Sequence, residues 1–576
     1  MFEDANPVVL GLSGGLAILS LYLFSQQMRR NRSLPPGPRG LPIVGNMLDM
    51  PKEYEWQHWA KHKDIYGPIS TVNVLSTRVI IINDLQTAID LLENRSSIYS
   101  NRPTFPFAGE FIGWNKQMIL SQYDERFRLM RKYFKAYVGT KSALIPHKNM
   151  QEMETKYFLA RVLQNPTSVL EQIRRSAGSI FLKLSHGYTI ETSGSDTLVE
   201  LVENASKEFH TATLPGEWLI DSIPWMRYLP EWWPGQHFKK VGTVMREHNM
   251  EQALRPVEFV KRQMEKGVEY PSFTSTLLRR GLTATEAEII PWGANAMYGG
   301  GTDTTTAALT TFILVMVLYP EVQKRAQEEL DTVVGQGRLP GLDDRPRLPY
   351  MEALLNEVHR FHPIGPMGIP HCVTQDDYYN GMLIPKDSIV LVNLWLIAHN
   401  PEVYPDPHKF NPERFYNTDK PQLDPQTFVY GFGRRACPGR ELANANMFLL
   451  MSMMLSVFNI SKAKDENGVE ITPKIEFGSG TVSHPKPFPF SITPRSKDAE
   501  AFVSSIFEDH PPPPSNAKEL LDIYSWIWSL SATSFKGLVF TSPILRTFGL
   551  ILRNHTNLRS IAALVPGKAS IAATSN

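Results

Sequence analysis

The residues best suited to chemistry lie at 430–440, Tyr-Gly-Phe-Gly-Arg-Arg-Ala-Cys-Pro-Gly-Arg. Cys437 is one of only two cysteines; the other is Cys372. Gly431, Gly433 and Gly439 permit tight turns and let the backbone approach a flat ligand. A helical run, 442–455, begins just after Cys437, and the oriented N–H groups of a helix N-terminus favour a thiolate. Arg435, two residues earlier, is placed to pair with an anionic group on such a ligand. A second run, Gly300-Gly-Thr-Asp-Thr-Thr305, lies inside a long helical stretch. Adjacent mid-helix glycines cost about 1 kcal/mol each relative to alanine. A helix carries that cost for a close approach or a local opening. Threonine hydroxyls in such a run bond back to carbonyls. Glu357 and Arg360 are three apart, share one helix face and can pair.

The elements that must hold these residues are mostly helical. Apolar periodicity predicts helices at 84–94, 123–138, 147–164, 285–318, 320–334 and 350–361. The β-branched stretch 69–82 reads as a hairpin, and 383–391 as a turn entering a short strand. No internal repeat is evident. The expected class is mainly α with small β-sheets, α+β. Residues 8–24 are uncharged and apolar, with Glu3 and Asp4 before them and Arg29, Arg30 and Arg32 after. That reads as an N-terminal transmembrane helix with the rest of the chain in the cytosol. A cleaved signal peptide is the competing reading; it needs a basic start and a small-residue cleavage site, and neither is evident. Pro35-Pro-Gly-Pro-Arg-Gly40 follows as a stiff hinge or a plain linker.

Composition narrows the classes. The chain has 576 residues, a net charge of +1 and 42% hydrophobic residues. It is globular, and a near-neutral balance argues against a nucleic-acid partner. Two cysteines cannot build a disulfide framework or a Cys-rich zinc module.

The 430–440 segment resembles the haem-binding motif of the cytochrome P450 family, with Tyr430 where the family carries Phe and with Gly433, Arg435, Cys437 and Gly439 in register. Four further segments agree in order. Glu357 to Arg360, 80 residues before Cys437, resembles the Glu-x-x-Arg element, and Pro412-Glu-Arg-Phe415 the segment whose Arg414 completes its network. Asp303-Thr304 resembles the distal acid–threonine pair. Phe127 to Arg131 resembles a Trp-x-x-x-Arg element with Phe127 replacing tryptophan, so an indole N–H to the haem is lost. The resemblance spans about 35–498, leaving 1–34 as anchor and 499–576 as an extension. With the hinge and Tyr404-Pro-Asp-Pro407, it is closest to membrane-bound fungal enzymes of secondary metabolism.

The resemblance implies a P450 fold binding haem b (iron protoporphyrin IX), with Cys437 as axial ligand to the metal. It implies Arg131, His371 and Arg435 on the propionates, though a lone histidine such as His371 is as often structural. Asp303 and Thr304 would be catalytic in proton delivery, and Glu357, Arg360 and Arg414 structural. Tyr430 brings a hydroxyl near the sulfur, Tyr298 a candidate pocket wall, and Cys372 is a bystander. The activity implied is oxygen-dependent hydroxylation or other oxidation of a small apolar molecule. Desaturation, ring closure or rearrangement is the rival within enzymes, and a haem sensor or carrier the rival outside them. No flavin or nicotinamide fingerprint is evident, so electrons come from NADPH through a separate P450 reductase, with cytochrome b5 as a further donor. Arg126, Arg128, Lys132, Lys135 and Arg434 form a candidate docking face, the alternative being ordinary solvated charge. The localisation implied is the endoplasmic reticulum membrane, single-pass. Substrate contacts are expected from 101–122, 208–220 and 295–304, with Phe105, Phe107, Phe111 and Trp114 suggesting an apolar ligand. Trp218, Trp225, Trp232 and Trp233 suit a membrane interface or core packing. Apolar pieces at 521–528 and 537–552 leave the tail open between membrane contact and disorder.

Overall fold

The computed structural model describes residues 33–520, apart from 76, 192, 193 and 215. The stretch 8–24, expected as an anchor, and the tail pieces beyond 520 lie outside the described residues. The 69–82 hairpin forms as β1 (Ile69–Val74) and β2 (Thr77–Ile82), paired antiparallel from Ile69↔Ile82 to Val74↔Thr77. Two later strands, β3 (His371–Cys372) and β4 (Ile389–Val392), complete a sheet of order β1-β2-β4-β3, in which β2 and β4 run parallel. Buried Ile80, Ile82, Val390 and Val392 lie in one apolar cluster there.

Helices dominate. α1 (Glu125–Val138) begins where Asp124 accepts the Phe127 N–H. It buries Phe127, Met130, Phe134 and Val138, one face at helical spacing. α2 is Lys148–Gln164, α3 Val169–His186, α4 Thr197–Ala212 and α5 His237–Lys266. α6 (Ala284–Leu318) starts with a reciprocal capping box of Thr283 and Glu286. Among the described residues it alone is long and apolar enough to cross a membrane, yet 78% of its apolar window is buried inside the protein. It is therefore the central core helix, packed on α1, α3 and α5. α7 (Pro349–Phe361) and α8 (Arg440–Val457) pack against it. α9 (Lys497–Asp509) puts Val503 and Ile506 into the main core, with Phe507 stacked on Tyr157 of α2. Asn516 then exchanges two hydrogen bonds with Thr189, of 2.9 and 2.8 Å. Ordered packing thus runs past residue 498.

Candidate active site

The Cys437 loop turns on two glycines. Gly431 and Gly433 take φ of 76° and 51°. A Cβ on Gly433 would lie 2.4 Å from the Leu92 carbonyl oxygen, so only glycine fits. The loop closes as the Cys437 N–H donates to the Tyr430 carbonyl at 2.7 Å. Gly439 departs from expectation: its φ is an ordinary −95°, so it makes no forced turn. A Cβ there would sit 4.0 Å from the Cys437 sulfur, so its missing side chain leaves room beside the thiol.

The Cys437 side chain is accessible to water. Burial nevertheless is the main influence on its thiol and pushes the pKa up. The Gly439 N–H, Arg131 and Arg440 pull the other way without prevailing. A coordinated metal cation would deprotonate such a thiol outright. Among the described residues no group of three or more His, Cys, Asp or Glu is placed to hold a metal ion.

Around the loop lie buried cations. Arg131 donates to the Ala436 carbonyl at 2.5 Å. Arg435 donates to the carbonyls of Ser100, Ser121 and Met118 at 2.6, 2.7 and 3.4 Å. Its guanidinium lies 3.8 Å from the Phe127 ring centroid, so the residue replacing tryptophan serves as a cation–π platform. Arg102, which sequence reasoning missed, donates to the carbonyls of Ile119, Ile369 and Pro370. His371 is tied through Nδ1 to the Tyr99 carbonyl at 2.7 Å, leaving Nε2 for another partner. Burial lowers the pKa of Arg131, Arg102 and His371, and takes Arg435 to about 10. Arg435 adds to the shift of Arg102, and Arg131 to that of Arg435, by like-charge repulsion. The hydrogen-bond partners of these three arginines are carbonyls, which share charge without cancelling it. Nothing local in a lone Arg102 signals this; only the fold brings it to Arg435.

On α6 the two glycines divide the roles foreseen for them. A Cβ on Gly301 would meet the Phe181 ring at 2.4 Å, a close approach to α3. Gly300 is exposed and a Cβ there would meet nothing within 4 Å. Thr304 donates to the Gly300 carbonyl at 2.8 Å. Thr302, Thr306, Thr310 and Thr311 likewise bond four residues back. The buried Thr305 hydroxyl has no partner. Asp303 turns away from Thr304: its Oδ1 is 3.1 Å from His484 Nε2 and 4.0 Å from Arg174. Burial raises its pKa, but His484, Arg174 and His210 together outweigh that and leave it lowered. Tyr298, a candidate pocket wall, instead packs in the core beside Gly178 of α3.

Glu357 and Arg360 are fully buried and pair through two bonds of 2.7 and 2.8 Å. Arg414 joins Glu357 at 3.4 Å, and the Asn411 N–H donates to it at 2.7 Å. The Tyr430 hydroxyl, expected near the sulfur, donates to Asn444 at 2.8 Å and meets His359 at 3.2 Å. It ties the cysteine loop to α7 and α8. Cys372 lies in β3, its pKa raised to about 11 by burial.

The aromatic loop is a packed roof. Phe107 is buried and stacks on Trp218 at 3.9 Å; Trp114 lies 4.6 Å from Phe209. Phe111 meets Phe238 edge-on at 5.6 Å, and Phe105 packs on the same cluster. Phe107 and Trp114 are thus spent on core contacts with α4 and α5, and Trp218 belongs to this core, whereas Trp225, Trp232 and Trp233 are exposed. Asp221 accepts the Phe107 N–H at 2.8 Å, and burial takes its pKa to about 6. On the outer face, Arg128, Lys132, Lys135 and Arg434 are exposed. Arg128 and Arg434 both lie over the Tyr123 ring, whereas Arg126 is turned to the Lys116 carbonyl.

These residues fit a haem. A single cysteine with no clustered metal ligands among the described residues suits an iron that arrives with its own macrocycle, and three guanidiniums hydrogen-bonded only to carbonyls suit its two carboxylates. The comparisons agree. The cytochrome P450 family model matches residues 35–492. Cytochrome P450 monooxygenase claR of Ampulloclitocybe clavipes is 59% identical over 90% of this chain and 97% of its own. Multifunctional cytochrome P450 monooxygenase af510 of Aspergillus fumigatus is 37% identical over 90% and 99%. The O-methylsterigmatocystin oxidoreductase of Aspergillus flavus is 36% identical over 86% and 94%.

Proposed function

This chain belongs to the cytochrome P450 family and is a haem-dependent monooxygenase; on that premise we propose that Cys437 is its axial ligand and that it oxidises a small apolar molecule in fungal secondary metabolism. The observation that carries the ligand assignment is the reachable Cys437 thiol set among buried Arg102 and Arg435 and half-buried Arg131, whose hydrogen bonds go to carbonyls. When bound, haem supplies dioxygen activation, which an axial thiolate favours. Arg102, Arg131, Arg435 and His371 Nε2 bind its carboxylates and fix its register. Gly433 and Gly439 keep the sulfur side clear. The open surface at Gly300 leaves space for substrate and gas on α6. Thr304 passes a proton inward when its hydroxyl leaves the Gly300 carbonyl, and Asp303 is the acid that replenishes it. The aromatic roof excludes water from the reacting atoms. Glu357, Arg360 and Arg414 hold the frame behind the loop.

Electrons come from NADPH through a separate P450 reductase, with cytochrome b5 as an additional donor, docking on Arg128, Lys132, Lys135 and Arg434. The enzyme sits on the endoplasmic reticulum membrane, catalytic domain in the cytosol; exposed Trp225, Tyr228, Trp232 and Trp233 support contact with lipid. The reduced, carbon-monoxide-bound spectrum tests the assignment. A strongly red-shifted Soret band in the wild type, absent in Cys437→Ser, is expected. A histidine-type band in both proteins overturns it.

A further inference from the structure

Asp303 is held on its solvent side by a network drawn from three other elements. His484 Nε2 lies 3.1 Å from Asp303 Oδ1. Arg174 of α3 reaches the same oxygen at 4.0 Å and Glu203 of α4 at 3.8 Å. His210, also on α4, faces Asp303 electrostatically. The His484 side chain is 30% exposed and that of Asp303 38%, so the pair bridges solvent and α6.

The segment bearing His484 is firmly anchored. Phe477 and Pro485 form a bridge, and the Gly478 N–H donates to the His484 carbonyl at 2.8 Å. The Ser483 N–H donates to Ile364, its hydroxyl donates to Gly478, and His362 contacts that hydroxyl at 2.8 Å. His362 stacks on Phe477 with centroids 3.5 Å apart. An imidazole carried on such a support is placed, not wandering. A guanidinium keeps its protons, whereas an imidazole can hand one on. Of the cations touching Asp303, only His484 is therefore suited to exchange protons with it.

We propose that His484 is a positioning residue for proton delivery: it holds Asp303 on the solvent-facing side of α6, midway along the helix, and reprotonates it from bulk water. The imidazolium passes its Nε2 proton to Asp303 Oδ1, giving a neutral imidazole and a carboxylic acid. Asp303 gives that proton inward and returns to the carboxylate. The imidazole regains a proton at Nε2 from hydronium, so one proton moves per cycle and no electron does. This rests on reading Asp303 as the distal acid, and it adds the group that feeds it.

The test uses the full chain with a P450 reductase, NADPH and air. Wild type, His484→Gln, His484→Arg, Asp303→Asn and the His484→Gln/Asp303→Asn double variant are compared from pH 6 to 8.5. The reduced carbon-monoxide spectrum certifies a folded haem site in each. The wild type draws these protons from bulk water, so its NADPH oxidation should slow as pH rises. His484→Gln should be about tenfold slower at low pH, with a flat profile. His484→Arg, charged but not titrating, should also be flat. The double variant should be no slower than Asp303→Asn. A readout that needs no turnover is the Asp303 carboxylic C=O band in difference infrared spectra, followed on a separate acidic pH series through the carboxylate range and identified by its loss in Asp303→Asn. It should titrate at higher pH in His484→Gln, because the imidazole contact that favours the carboxylate is gone. An unchanged infrared titration, a wild-type pH profile in either single His484 variant, or additive losses in the double variant overturns the proposal. Absence of the red-shifted band in the wild type sinks the haem–thiolate reading instead, while the infrared titration still reports on the pair.

Discussion

Glu357→Ala should be among the costliest single changes in this protein. Glu357 and Arg360 are both 0% exposed. The substitution removes two bonds of 2.7 and 2.8 Å to Arg360, an acceptor 2.7 Å from the Asn411 N–H, and the counter-charge for Arg414 at 3.4 Å. Arg360 retains the carbonyls of Ala398 and Pro407, at 3.1 and 2.8 Å, which solvate it without neutralising it. Breaking one partner from a buried pair costs about 3–5 kcal/mol, because a charge is left unpaired. Two charge-assisted bonds at about 1.5–3 kcal/mol each lead to the same range. Against a typical total of about 5–15 kcal/mol, that is a large fraction. Urea unfolding followed by far-UV circular dichroism reads the loss. If the stranded charge is the cause, Glu357→Ala/Arg360→Met should be more stable than Glu357→Ala alone. A double variant whose loss equals the sum of the single losses, or a Glu357→Ala loss below about 1 kcal/mol, refutes the reasoning.

Gly301→Ala should destabilise by about 1–3 kcal/mol, since its methyl would lie 2.4 Å from the buried Phe181 ring. Gly300→Ala meets nothing within 4 Å and should gain about 1 kcal/mol of helix propensity, so thermal unfolding should move the two oppositely. The folded Asp221 pKa of about 6 lies above its ordinary 3.8, so its contribution is fully present below about 3.8 and is lost as pH rises through about 6. That separation amounts to at most about 3 kcal/mol; hydrogen exchange in 101–122 should quicken across that window in the wild type and not in Asp221→Asn. Tyr430→Phe should cost about 1 kcal/mol in thermal stability and leave the carbon-monoxide spectrum intact, because the Cys437 N–H bonds the Tyr430 carbonyl and not its hydroxyl. Lys132→Glu/Lys135→Glu should weaken reductase binding at low salt and lose most of its effect at high salt, read as the reductase concentration for half-maximal NADPH oxidation.

Local pattern alone made much of this protein legible. The turn at Gly431 and Gly433, the apolar face of α1, the α6 and α7 helices and the 69–82 hairpin each depend on neighbours within a few residues. Backbone freedom and periodicity act at that range, which is why Cys437 and the Glu357–Arg360 pair could be picked out by type and spacing, whereas Arg131 and Asp303 were picked out by resemblance to the family's motifs. Other features depended on partners remote in sequence. β2 pairs with β4 from Val79 to Ile389, and no local signal announces that register. α3, α4 and α5 escaped the sequence reading, α5 carrying many charges and an internal Pro256. Phe107 and Trp114 looked like substrate walls until α4 and α5 were seen to cover them. Arg102 and His484 are unremarkable residues in sequence; only packing brings one to Arg435 and the other to Asp303. The titration of Cys437 follows the same rule. Its helix terminus is local, whereas the burial that raises its pKa is created by the whole fold.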